Sequence, residues 1–367
     1  MADDFKYHID HAGGLVRPAA LLEARRAHFE GRLDWPGYQA AVDEAIREVT
    51  QLQRRLGMSA ISDGQYRREN AAGTFSAHVL GFGGPVTGPL AGLFSQISSL
   101  PPAPAVVTKL EVTDRLTGTE AAFLTQVTQR SRTVSLPSAA FVAETSFDQD
   151  RTPAVYDTPD RLGAETAIVI RDEIRALDGD GINHVQLFNP VYALTLSRQG
   201  RDRLRAQGTD PDRLLDRMAG ADAASVETLG TSETFRVSLD ITTGGAVDLT
   251  AGYDPDAVAR FFSRLPFYRV QVEHLAGADF PLSLVPAGLV LALGVVDVRA
   301  AATPPVEELL DRVDAATSIL DVDDIAISTN GSFAPVVDAP GPVSWAEQAN
   351  RLQLVEMVAR YYWGNEL

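Results

Sequence analysis

The chain has 367 residues, 45% of them hydrophobic, and a net charge of −17 from 49 acidic and 32 basic side chains. That content supports one large core and excludes a disordered chain, while the acidic excess repels phosphate backbones and anionic bilayers, leaving a small molecule as the expected partner. Cysteine is absent, which rules out disulfides, iron–sulfur clusters, thiolate zinc sites and cysteine nucleophiles.

The opening Met1-Ala2-Asp3-Asp4-Phe5 has neither a basic region nor an apolar segment, so no secretory signal is expected and the cytoplasm is the default compartment. A first strand is expected near Tyr7-His8-Ile9. Asp34-Trp35-Pro36 then reads as a helix cap with proline in the first turn. Val42, Ala45, Ile46, Val49, Leu52 and Leu56 recur at helical spacing until Gly57 ends the run. Residues 60–65 read as the second strand, with polar groups at its carboxyl end. Residues 82–128, carrying Gly83-Gly84-Pro85 and Pro101-Pro102, suit a hairpin or loop excursion laid over one end of the fold.

Further strands are expected at 133–136, 184–187, 235–239, 268–272, 289–293 and 324–328, with helices between them such as 254–265 and 304–319. The longest apolar run, residues 288–296, has the length of a strand and not of a membrane span. Eight strand–helix units predict a (β/α)8 barrel, a TIM barrel, formed by residues 1–367 as a single domain; an open doubly wound sheet is the alternative. In such a barrel chemistry gathers at the carboxyl ends of the strands. Those ends carry Asp10 and His11, Asp63 and Gln65, Gln186 and Asn189, Asp240, Glu273 and His274, Asp297 and Asn330. Taken singly each suits a loop cap; together they point to one shared pocket.

Several ordered motifs occupy these positions: Asp10-His11-Ala12-Gly13-Gly14, Ser62-Asp63-Gly64-Gln65, Ser135-Leu136-Pro137-Ser138 and His184-Val185-Gln186-Leu187. Gly252-Tyr253-Asp254, Val272-Glu273, Leu293-Gly294-Val295-Val296-Asp297 and residues 327–334 follow. From near residue 8 to Trp363-Gly364 this set resembles the catalytic barrel of cobalamin-independent methionine synthase, in its short single-barrel form. The resemblance implies a methyltransferase-like enzyme. In that family a zinc ion held by His, Cys, Glu and Cys binds the homocysteine thiol and lowers its pKa, and the thiolate attacks a methyl-folate.

Carried over residue by residue, the zinc ligands fall on Ser238, Asp240, Glu273 and either Asn330 or Gly331, so only the glutamate is kept. Oxygen donors do not reproduce a sulfur–imidazole site, and zinc is not expected. The clamp for the amino-acid ammonium is altered as well: Gln65 stands where the family has a carboxylate, Phe188 and Asn189 follow the fourth strand, and Gly14 replaces a serine. Homocysteine is therefore not the expected substrate. Ser135 and Glu144 lie where the family's folate-facing loop begins, which leaves methyl-folate as a possible co-substrate.

The chemistry expected to remain centres on Asp240 and Glu273, two carboxylates on neighbouring strands, one of which should hold a raised pKa. Alternatives are a structural pair bound to arginines, or a Mg²⁺ or Mn²⁺ site completed by Asp297. His11 is a candidate base or loop support, His274 should pack behind the barrel, and Arg67 and Arg68 are candidate anion binders, with a salt bridge to surrounding acids as the alternative. Substrate contacts are expected from Gln65, Arg67, Ser135, Gln186, Phe188, Asn189, Asp297 and Asn330. Three functions fit: zinc-independent methyl or one-carbon transfer to a small acceptor, a metal-free acid/base lyase or decarboxylase, and a non-catalytic small-molecule-binding protein.

Overall fold

The computed structural model describes residues 7–337 and 343–364; the opening residues 1–6, read above for a signal, lie outside them. Helix α1 (Ala19–Phe29) leads to α2 (Trp35–Arg55), which begins where the Asp34 side chain accepts from the Gly37 amide at 2.9 Å. Val42, Ile46 and Val49 on α2 are buried, as their spacing predicts. Gly57 follows at φ +67°, a left-handed turn that glycine adopts without a steric penalty.

The excursion is a folded unit. Helix α3 (Gly73–His78) enters β1 (Val79–Pro85), α4 (Pro89–Ser98) crosses over, and β2 (Pro104–Val112) returns antiparallel to β1 before α5 (Gly118–Val127). It is pinned to the body of the protein at two places. Arg68 and Glu120 form a buried ion pair at 2.5 Å. Asp148 accepts from the Thr87 amide at 3.1 Å and hydroxyl at 3.2 Å, and from Arg151 at 2.7 Å. Those bonds hold the Asp148 carboxyl well below the usual carboxylate range, with Arg151 the leading cause.

Thereafter strands and helices alternate: β3 (Thr133–Pro137), α6 (Ala139–Ser146), α7 (Pro159–Gly179), β4 (His184–Phe188), and α8 (Val191–Leu196), α9 (Arg198–Ala206) and α10 (Pro211–Val226). β5 (Arg236–Asp240), α11 (Pro255–Arg264), β6 (Arg269–Glu273), β7 (Val290–Val296), α12 (Val306–Thr317), β8 (Ile325–Thr329) and α13 (Trp345–Trp363) complete the chain. β3 to β8 pair in sequence order and all in parallel.

The first two strands expected from the sequence are single bridges, not ladders. Ile9 pairs in parallel with Ile327 of β8, and Ile61 with Arg132 beside β3. The Ser59 amide donates to the Ile9 carbonyl at 3.1 Å, linking the two segments and carrying the hydrogen bonding around from β8 to β3. They are short because aspartate side chains take the backbone amides that would extend them. The Asp10 carboxylate takes the His11 amide at 2.7 Å, and Asp63 takes the Gln65 amide at 2.8 Å, with Gln65 itself at φ +60°. The result is the expected α/β barrel.

Its interior is unusually polar for a fold whose barrel is normally filled by branched aliphatics. Arg269 of β6 reaches across to Asp10 at 2.6 Å, both fully buried. His184 lies 2.9 Å from the Thr133 hydroxyl and 2.8 Å from the Ser238 hydroxyl. One step higher, Gln186 donates to Gln271 at 3.3 Å, and Gln271 donates to the Thr329 carbonyl at 3.0 Å. Burial pushes the His184 imidazole down to about 3, so it is neutral and serves as a hydrogen-bonding strut.

Candidate active site at the carboxyl end of the barrel

Asp240 is the last residue of β5, and the chain then turns through Thr242, Thr243, Gly244 and Gly245. One Asp240 oxygen accepts from both the Thr242 amide at 2.9 Å and its hydroxyl at 2.7 Å. Asp240 is almost wholly buried, and among the described residues it has no basic partner within ion-pair distance. Desolvation therefore pushes its carboxyl up to about 7, against the Thr242 bonds, with the nearby charges of Asp10 and Glu273 adding to the rise.

Glu273, ending β6, is used differently. Its Oε1 accepts from the Thr243 amide at 2.7 Å and hydroxyl at 2.5 Å, and its Oε2 from the Gly245 amide at 3.1 Å. Burial raises its pKa, opposed by these bonds. The side chain ties down the loop that follows Asp240. The arginine-bound pair considered from the sequence is absent among the described residues; threonine hydroxyls and loop amides take that place.

An open cleft lies over Asp240, lined also by Phe188, Thr242, Thr243, Leu100 and Arg299. Phe188 meets the ring of Phe141 at 5.3 Å. Asp297 takes the Arg299 amide at 2.8 Å, and Asn330 takes the Val298 amide at 2.9 Å, so both shape this rim as loop caps. Gln186 accepts from the Gly13 amide at 3.3 Å below the cleft. Gln65 is buried with its amide nitrogen unpartnered, as is the Ser135 hydroxyl inside the barrel.

Other expected contacts lie elsewhere. His11 sits 3.3 Å from both the Gln53 carbonyl oxygen on α2 and the Ser62 hydroxyl, wedged between barrel and helix. Arg67 turns outward to Gln39 and Asp43 and stacks over Phe123. The Asn189 side chain caps the Val191 amide at 3.1 Å. His274 is buried beside Asp279 and Arg312, behind the barrel as strand alternation predicts. Sequence reasoning missed Thr242, Thr243, Arg299 and Phe141. The run of hydroxyl and glycine residues directly after a strand-end aspartate was the available signal for the first two.

A mouth built this way, on a ring of parallel strands, defines a barrel enzyme fold of the cobalamin-independent synthase class. The chain belongs to that family: residues 17–332 match the "Cobalamin-independent synthase, Catalytic domain". It is 23% identical over 212 residues to a Bacillus subtilis protein described as uncharacterized protein YxjH, covering 57% of this chain and 54% of that one. It is 24% identical over 317 residues to the 5-methyltetrahydropteroyltriglutamate–homocysteine methyltransferase of Nitratidesulfovibrio vulgaris, covering 85% of this chain and 37% of that enzyme. The chain thus spans about half or less of the curated relatives it matches. In fold it is similar to a Listeria monocytogenes structure described as a vitamin-B12-independent methionine synthase (TM-score 0.76, 16% identity, 98% of each chain). A B12-independent methionine synthase from Shewanella, bound to selenomethionine, is also similar (TM-score 0.72, 18% identity, 97% of each chain).

The residues here do not fit that family's zinc. Ser238 is bound to His184, and both oxygens of Glu273 are spent on loop amides. A Cβ on Gly331 would lie 2.5 Å from the Gly244 Cα, so a cysteine there would collide with backbone. Among the described residues no three histidine, aspartate or glutamate side chains gather to hold a metal, which also leaves the Mg²⁺ or Mn²⁺ alternative without a ligand set. The amino-acid clamp is equally altered: a Cβ on Gly14 would lie 2.9 Å from the Ala334 carbonyl oxygen, leaving no room for the family's serine. Protein purified from zinc-replete medium is expected to carry far less than one zinc per chain by elemental analysis. The triple variant S238H/D240C/G331C is expected to gain no tight site, because the Gly244 backbone occupies the ligand's place.

Proposed function

We propose that this chain is an enzyme of the cobalamin-independent synthase family that transfers a methyl or other one-carbon group, without zinc, to a small-molecule acceptor other than homocysteine. The observation that carries the reading is Asp240, a buried carboxyl pushed up to about 7 at the floor of an open cleft. A group poised there accepts and returns a proton near neutral pH. Zinc is needed in the family to make a thiolate; an acceptor bearing an acidic N–H or C–H needs only a base. The acceptor's proton passes to Asp240, its freed electron pair forms the bond to the methyl carbon, and the bond from that carbon to the donor nitrogen breaks. Asp240 then gives the proton to the leaving nitrogen and is regenerated.

Methyl-folate is the donor that family membership suggests. The test is transfer of label from methyl-labelled methyltetrahydrofolate to a panel of small nitrogen and carbon acids, with homocysteine alongside. Label is expected in one of the acids and not in methionine. Stoichiometric zinc together with methionine formation, or no transfer to any acid, would overturn the reading.

A further inference from the structure

A second pocket, open to solvent, lies between the excursion and α6. Phe75, Phe82, Phe94, Leu100, Phe141 and Val142 supply most of its apolar wall, and no charged residue lines it. Glu144, on the same helix as Phe141, spends its carboxylate on Arg217 at 2.5 and 2.8 Å. Because Arg68–Glu120 and Asp148–Thr87 clip the excursion in place, the cavity is formed in advance of any ligand.

This pocket adjoins the cleft over Asp240. Ser98 and Leu100 line both, and the Phe141 and Phe188 rings that meet at 5.3 Å belong one to each. Among the described residues, Asp240 and Arg299 are the charged groups lining the cleft. Arg299 is exposed and donates to the Ser99 hydroxyl at 2.6 Å; its side chain forms no ion pair among the described residues. An uncharged aromatic-walled chamber beside a guanidinium that has no carboxylate partner and a proton-accepting carboxyl selects an amphiphilic anion.

We propose that the acceptor is a carboxylate with an aromatic or branched-hydrocarbon body, the body filling the pocket and the carboxylate meeting Arg299, so that the carbon or nitrogen between them is presented to Asp240. This rests on the function proposed above. Binding, however, needs neither donor nor turnover, so it is tested separately by calorimetry with indolepropanoate and its uncharged analogue indolepropanamide.

The wild-type protein is expected to bind the acid about tenfold more tightly than the amide, the size of one charge-assisted contact. Arg299→Gln should bind the two alike. Ala91→Trp and, independently, Ser76→Phe, each checked for an unchanged melting temperature, should lose both ligands. Asp240→Asn should keep them. Binding by the wild type without label transfer in the assay above supports the pocket and counts against the reaction alone. Failure of the wild type to bind either compound, or undiminished binding by both filled-pocket variants, would overturn the proposal.

Discussion

Asp240→Asn is expected to lower turnover at least about 100-fold, the usual scale of a general acid–base contribution, without lowering the melting temperature. Two arguments support the combination. Asparagine keeps an acceptor for the Thr242 amide and hydroxyl, so the local turn survives. The buried carboxyl is also a charge the fold tolerates poorly. Because its folded pKa of about 7 lies above the unfolded value, the folded protein binds the proton more tightly. Stability falls as pH rises through the window between about 4 and 7. The neutral asparagine escapes that loss.

The same shift sets the rate profile. Proton acceptance requires the ionised form, so kcat/KM should climb with pH through about 7 and level off above it. Glu273→Gln separates the two carboxylates. Since Glu273 acts through the loop amides it holds, its loss should raise KM more than it lowers kcat, and the pH dependence should persist with its midpoint moved to lower pH, because the Glu273 charge adds to the rise at Asp240. A lost pH dependence in Glu273→Gln, or a retained one in Asp240→Asn, would reverse the assignment.

Much of this architecture was legible because it obeys periodic rules. The α2 helix announces itself through Asp34, Pro36 and the spacing of Val42, Ile46 and Val49, and the six long strands are short β-branched runs. The two opening segments form single bridges instead of strands because the Asp10 and Asp63 side chains take the His11 and Gln65 amides that a ladder would use, and period-two patterning does not register this. Strand-end position singled out Asp240 and Phe188, which line one cleft. It also proposed Arg67 and His11, whose side chains turn toward α2, because proximity in sequence to a strand end does not say which way a loop residue faces. Arg299 and Phe141 were invisible for the opposite reason: each reaches the mouth from a separate loop or helix, joined to it only by tertiary packing.

The largest effect on stability is expected inside the barrel, from Arg269→Met. The Asp10–Arg269 pair is fully buried at 2.6 Å, and losing the cation leaves an ionised or forcibly protonated Asp10 without compensation, a cost of about 3–5 kcal/mol. The guanidinium itself is incompletely satisfied, since its Nε and NH2 have no protein partner. The attraction therefore does little beyond offsetting desolvation. The double variant Asp10→Asn/Arg269→Met should for that reason recover most of the loss in a urea titration. Although burial opposes it, Arg269 and its neighbours hold the Asp10 carboxyl below its usual value, so the pair's contribution is present above about pH 4 and fades as pH falls through the lowered folded value. The gap between wild type and Arg269→Met should accordingly narrow in acid. Asp10 also raises the pKa of Asp240, so neutralising it in the double variant should move the kcat/KM midpoint to lower pH, whereas a purely structural ion pair would leave that midpoint where it was.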